Sequence, residues 1–149
     1  MKNTKAKDVF EKGFNCAQSV LFAHGKEYFK NESETLKLAS AFGAGISYRG
    51  EICGAVSGAF MAIGLRYGFS DPDDELSREV THMVIKEFSK KFEAINGSLI
   101  CNTLLDTDIS TEEGLEAARE QELFEKICPN MVESSSEILE DLFQRFPVK

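Results

Sequence analysis

The sequence predicts an all-α fold: a single-domain bundle of about six or seven helices around a buried central helix rich in glycine and alanine. Three observations lead there. Apolar residues recur at three- and four-residue steps along most of the chain, and no segment alternates apolar and polar as a half-buried strand would. Helix start and stop signals follow one another at short intervals, as in bundles. One segment, Ala55–Leu65, is nearly apolar all round, which suits a helix surrounded by others. A length of 149 residues fits one domain, 1–149, and 42% apolar residues argue against disorder.

The elements follow in order. Lys5–Lys12 reads as a short amphipathic helix stopped by Gly13. Asn15 caps a second helix that runs through Val20 and Leu21 to about Tyr28. Ser33 or Glu34 opens a third, with Leu36, Leu38, Ala39 and Phe42 inward, ended by Gly43-Ala44-Gly45. A loop through Tyr48, Arg49 and Gly50 leads to the central helix, Glu51–Tyr67, where Gly54, Gly58 and Ala62 form a smooth stripe for a closely packed neighbour. Asp71-Pro72-Asp73-Asp74 starts a helix with Asp71 as cap, proline first and acids in the first turn. Leu76, Val80, Val84, Phe88 and Phe92 line its core side, and it ends near Asn96-Gly97. Ser98 caps a short turn, Leu99–Leu105. Thr111 opens a helix carrying Leu115, Ala118, Leu123, Phe124 and Ile127, and Cys128-Pro129 begins the last one.

The charge excludes one class of partner. Residues 1–70 hold 9 Lys/Arg and 6 Asp/Glu, residues 71–149 hold 8 and 19, and the net is −8. Such a chain is not expected to bind nucleic acid, whose phosphates demand cationic surface. No stretch has the length of a membrane span, and the charged N-terminus does not resemble a signal peptide. The expected location is the cytoplasm, where thiols stay reduced.

The chemistry is expected in four cysteines, Cys16, Cys53, Cys101 and Cys128, separated by 37, 48 and 27 residues. No Cys-x-x-Cys is present, so neither a zinc-ribbon nor a thioredoxin motif applies. Free cysteines often pack as small hydrophobes. Their placement argues otherwise, because each falls at an expected helix start, where partial positive charge and free N–H donors stabilise a thiolate. His24 and His82 stand alone, read as surface or satisfied helix residues. The glycines at 43, 45 and 50 fit no phosphate loop.

The residues around the cysteines resemble a family of bacterial proteins. Gly13-Phe14-Asn15-Cys16-Ala17-Gln18 is similar to the first block of the four-cysteine family named for its C/GCAxxG/C/C signature. Phe42-Gly43-Ala44-Gly45 and Cys53-Gly54-Ala55-Val56-Ser57-Gly58 resemble its central block. Gly97–Leu105 resembles its third, and Ile127-Cys128-Pro129 stands at its last cysteine. Asn102 departs from the pattern, in which a charged residue often follows the third cysteine. The resemblance implies a helical, redox-active protein.

The leading expectation is therefore a thiol redox protein, a thiol-dependent oxidoreductase in which two cysteines cycle between dithiol and disulfide with an unknown redox partner. Cys53 is expected to be the most activated sulfur, supported by Arg49, Gly54 and Gly58, with Cys16 as its partner. A second reading makes Cys16, Cys53, Cys101 and Cys128 the ligands of zinc or an iron–sulfur cluster. A third is a helical interaction module whose Gly54/Gly58 stripe forms a homodimer contact.

Overall fold

A computed structural model describes residues 4–148. Every regular element among them is helical, and the one strand-like feature is an isolated antiparallel bridge between Ile52 and Ile100. The helices are α1 (Ala6–Glu11), α2 (Cys16–Gly25, followed by a 3-10 turn Lys26–Tyr28), α3 (Glu32–Ala39), the single turn α4 (Gly43–Ile46), α5 (Gly54–Tyr67), α6 (Glu75–Asn96), α7 (Cys101–Leu105), α8 (Glu112–Glu120), α9 (Leu123–Lys126) and α10 (Cys128–Arg145).

The buried glycine- and alanine-rich helix is α5, as expected. Ala55, Val56, Ala59, Ala62 and Ile63 are fully enclosed. Around it pack Ala17, Val20 and Leu21 of α2, Val84, Phe88 and Phe92 of α6, and Val132, Leu139 and Leu142 of α10. Ser135 on α10 ties the two helices by donating to the Ala55 carbonyl at 2.8 Å. A second, smaller apolar cluster gathers Cys101, Leu105, Ile109 and Ala118, with Leu115, Phe124, Ile127 and Cys128 against it. The cysteines thus lie where the two clusters meet, Cys16 and Cys53 in the larger and the other two in the smaller.

Several boundaries differ from expectation, each for a local reason. α5 begins at Gly54 instead of Glu51, because Glu51 and Ile52 are held extended against Ile100. α6 is capped by Asp74, whose carboxylate accepts from the Ser77 N–H at 3.0 Å, while Asp71 closes a turn on the Asp73 N–H. The helix expected from Thr111 to Ile127 breaks at Gln121 and Glu122, where Glu122 takes a left-handed conformation (φ 55°). α3 starts at Glu32, directly after its cap Asn31, and ends at Ala39, so Phe42 lies outside it. Ile100, not Ser98, precedes the first residue of α7. Leu38 and Leu76, expected inward, are exposed.

His24 is satisfied, as expected for a helix residue: its Nε2 meets Ser136 Oγ at 2.6 Å and its ring packs edge-on to Phe143. Burial lowers its pKa to about 4. An unfolded histidine titrates near 6.5, so between roughly pH 6.5 and 4 the unfolded chain binds a proton that the folded one refuses. Stability should fall across that window by up to about 3 kcal/mol. Urea unfolding at pH 7 and at pH 4.5 measures it, and His24→Gln should flatten the difference.

Candidate functional site

The expected helix-start placement of the four cysteines is present. Cys16, Cys101 and Cys128 are the first residues of α2, α7 and α10, and Cys53 is the residue that precedes α5. For Cys16 the local cause is a complete capping box: Asn15 Oδ1 accepts from the Gln18 N–H at 2.8 Å, and Gln18 Oε1 accepts from the Asn15 N–H at 3.0 Å. The same two side chains reach α3 and the turn behind it, donating to the Leu36 and Ser40 carbonyls at 3.0 Å each.

Cys53 and Cys101 are joined through the main chain. The Cys53 N–H donates to the Leu99 carbonyl at 2.8 Å, and the Cys101 N–H donates to the Glu51 carbonyl at 2.6 Å. Asn102, the departure from the family pattern, has a structural role here. It packs on Gly50, accepts from the Ile109 N–H at 2.9 Å and donates to Asp108 at 3.0 Å, so it holds the loop that brings Ile109 into the cluster with Cys101.

A left-handed turn closes the site from the other side. Ala44, Gly45, Ile46, Ser47 and Tyr48 all have positive φ. Each non-glycine residue in that conformation costs about 1–2 kcal/mol, and β-branched Ile46 at φ 71° is the most unusual. Hydrogen bonds hold the turn: the Ser47 N–H donates to the Gly43 carbonyl at 2.8 Å, the Glu51 N–H to Gly45 at 3.0 Å, and Ser47 Oγ to Ala41 at 2.8 Å. Gly45 is required, because a Cβ there would lie 2.5 Å from the Glu51 nitrogen and 2.8 Å from Cys101 Cβ. In the sequence this segment reads as a helix stop, and its two glycines are the available signal.

Electrostatics reverse one expectation. Backbone N–H groups of Ala44, Ala17 and Ala55 do face the Cys16 sulfur and favour its thiolate, yet burial outweighs them and pushes that thiol's pKa up. Burial raises Cys53 well above its ordinary value, and a charge on Cys16 raises it further. Burial, then a charge on Cys16, brings Cys101 to about 12. Cys128 is also raised, by burial first and then by charge on Cys16, on Cys101 and on Glu125. Charge on Cys16 is thus felt at the other three sulfurs, and charge on Cys101 at Cys53 and Cys128, so the four lie within reach of one another's fields.

The supporting residues divide. Gly54 and Gly58 lie where α2 crosses α5. A Cβ on Gly54 would overlap the Cys16 sulfur, and one on Gly58 would sit 2.6 Å from the Ala17 carbonyl oxygen. This face is therefore covered by the chain's own α2 and offers no homodimer contact. Arg49 is not near the sulfurs' field: its exposed guanidinium pairs with Glu51 at 2.8 Å, and Arg49 is absent among the groups that shift Cys53. Among the described residues no disulfide is formed, and no group of three or more His, Cys, Asp or Glu is arranged to hold a metal ion.

A cleft of about 360 Å³ opens on Cys16 and Cys128, walled by Phe10, Phe14, Tyr48 and Phe124, while Cys53 and Cys101 lie outside it. Tyr48 and Phe124 meet edge-on at 6.1 Å, and Arg119 lies over the outer Tyr48 ring at 5.6 Å. These walls come from distant stretches of chain, and in the sequence Tyr48 reads as loop and Phe124 as core, with nothing to mark either as a cleft wall.

The family model described as "Putative redox-active protein (C_GCAxxG_C_C)" matches residues 14–142, a span that contains all four cysteines. The chain belongs to this family. No curated protein and no solved structure matches it. Within the C_GCAxxG_C_C pattern the glycines acquire a physical meaning here, since Gly54 and Gly58 admit the backbone that carries Cys16. No helix among the described residues is long and apolar enough to cross a membrane.

Proposed function

We propose that this protein is a thiol oxidoreductase in which Cys16 and Cys128 form the outward-facing redox pair, backed by Cys53 and Cys101. The observation that carries the reading is the electrostatic influence of the sulfurs on one another, together with a cleft lined by Cys16 and Cys128. Cys128, the one cysteine that is not fully buried, is the entry sulfur. In exchange with an external disulfide, the Cys128 thiolate attacks one sulfur and expels a thiolate. Cys16 then attacks the mixed disulfide, an S–S bond forms within the protein, and the second external thiolate leaves. The two thiols give up two protons and two electrons, which the external disulfide takes up. Cys53, the attacking sulfur the sequence suggests, instead serves as a reserve, since it lies outside the cleft lining and has no cation beside it.

The raised pKa values fit a slow, protected dithiol better than an always-ionised nucleophile. Zinc or iron–sulfur ligation is the second reading, and the donor geometry weighs against it. Equilibration in dithiothreitol buffers of graded poise, followed by acid quench, denaturation and alkylation, tests the proposal. Two thiols should disappear reversibly, and peptide mapping should locate them at Cys16 and Cys128. Four alkylatable thiols at every poise would sink it. Metal analysis after anaerobic purification decides the second reading.

A further inference from the structure

We infer that the cleft over Cys16 and Cys128 takes a flat, uncharged two-electron acceptor of the quinone class. This rests on the proposed dithiol chemistry and names its substrate. The cleft walls are four aromatic rings, those of Phe10, Phe14, Tyr48 and Phe124, and no charged side chain lines it. Three of its polar side chains, Asn15, Ser40 and Ser47, are already engaged. Asn15 bonds Gln18 and Ser40, Ser40 Oγ donates to the Lys37 carbonyl at 2.7 Å, and Ser47 Oγ donates to Ala41.

A charged small disulfide would lose hydration here and meet no ionised group among the lining side chains, which is costly. A planar apolar ring loses little water and gains stacking against aromatic faces and edges. The volume suits a ring of one or two fused cycles, since pockets for small ligands run from about 300 Å³ upward.

The chemistry balances. The Cys128 thiolate adds to a ring carbon, forming a C–S bond. The Cys16 thiolate attacks the Cys128 sulfur, forming the S–S bond and breaking the C–S bond, whose electron pair stays on the ring. The ring takes two protons from water and leaves as the hydroquinone, while the two thiols have released two protons. Thiols are oxidised and the quinone is reduced by two electrons.

The test uses the fully reduced protein under anaerobic conditions with duroquinone, whose substituted ring keeps no stable thiol adduct. One equivalent of hydroquinone should form, and mass spectrometry should show a Cys16–Cys128 disulfide. Oxidation should be at least about tenfold faster than by glutathione disulfide, a charged oxidant. Phe124→Ala should slow the quinone reaction about tenfold while its helical circular dichroism is kept. Faster oxidation by glutathione disulfide, or a folded Phe124→Ala protein with an unchanged quinone rate, overturns the inference and leaves the dithiol reading standing. Inertness toward quinone, glutathione disulfide and the dithiothreitol buffers alike overturns both.

Discussion

Above pH 9 the reduced protein is expected to lose stability steeply, on a slope set by its sulfurs. Burial keeps each thiol protonated in the folded chain beyond the ordinary cysteine value of 9.0, for Cys101 as far as about 12. An unfolded chain has no such shelter, so its thiols ionise first. Where the folded state holds more protons, stability falls as pH rises. The stabilisation is complete below pH 9 and is lost through the folded-state values. Each buried thiol contributes a slope of about 1.4 kcal/mol per pH unit, and four together about 5. Against a total of roughly 5–15 kcal/mol for a domain, one to three pH units should suffice to unfold it. Urea midpoints between pH 8 and 11 measure the slope. Oxidation to one disulfide removes two ionisable groups and should halve it. An equal slope in the oxidised and reduced proteins would show that the sulfurs do not control it.

The parts of this site that sequence reasoning reached are those with local causes. Asn15 and Gln18 announce the start of α2 within four residues, and Pro129 does the same for α10. The buried character of α5 is visible in its own composition. What local sequence does not carry depends on distant chain. The sign of the cysteine shifts follows from how Gly43–Ala44, α5 and the loop after α7 enclose the sulfurs, and helix-start charge alone points the other way. Arg49 lies four residues from Cys53, but the bridge to Ile100 extends the backbone between them and leaves the guanidinium with Glu51. The left-handed turn was invisible because Ala44, Ile46, Ser47 and Tyr48 disfavour it singly, and only surrounding hydrogen bonds impose it. Likewise Gln121 and Glu122 carry no local breaker. The break there lets Leu123 and Phe124 turn toward the second cluster.

Three glycines on one helix should respond in opposite ways, and the contrast separates packing from function. Gly64 on α5 faces open space, with nothing within 4 Å of a new Cβ. Gly64→Ala should therefore stabilise by about 0.5–1 kcal/mol through backbone entropy alone. At Gly58 a methyl group meets the Ala17 carbonyl oxygen at 2.6 Å and its carbon at 3.3 Å. These are main-chain atoms at the most extensive helix contact in the fold, between α2 and α5, and no rotamer change relieves them. Gly58→Ala should cost about 1–3 kcal/mol or more as the helices are forced apart. At Gly54 the first obstacle is the Cys16 sulfur itself, followed by the Ala17 nitrogen and the Phe42 carbonyl oxygen, each 3.1 Å away. Gly54→Ala should carry a similar cost and also push that sulfur from its place beside Cys53. Thermal melting of the three proteins reads the stability order Gly64→Ala, then wild type, then the other two. The redox titration reads the second effect, a shifted poise for Gly54→Ala beyond that of Gly58→Ala. A Gly58→Ala protein that melts with the wild type would refute the close approach of the two backbones. Equal shifts in both variants would mean that the glycine beside Cys16 serves helix packing and has no separate hold on the sulfur.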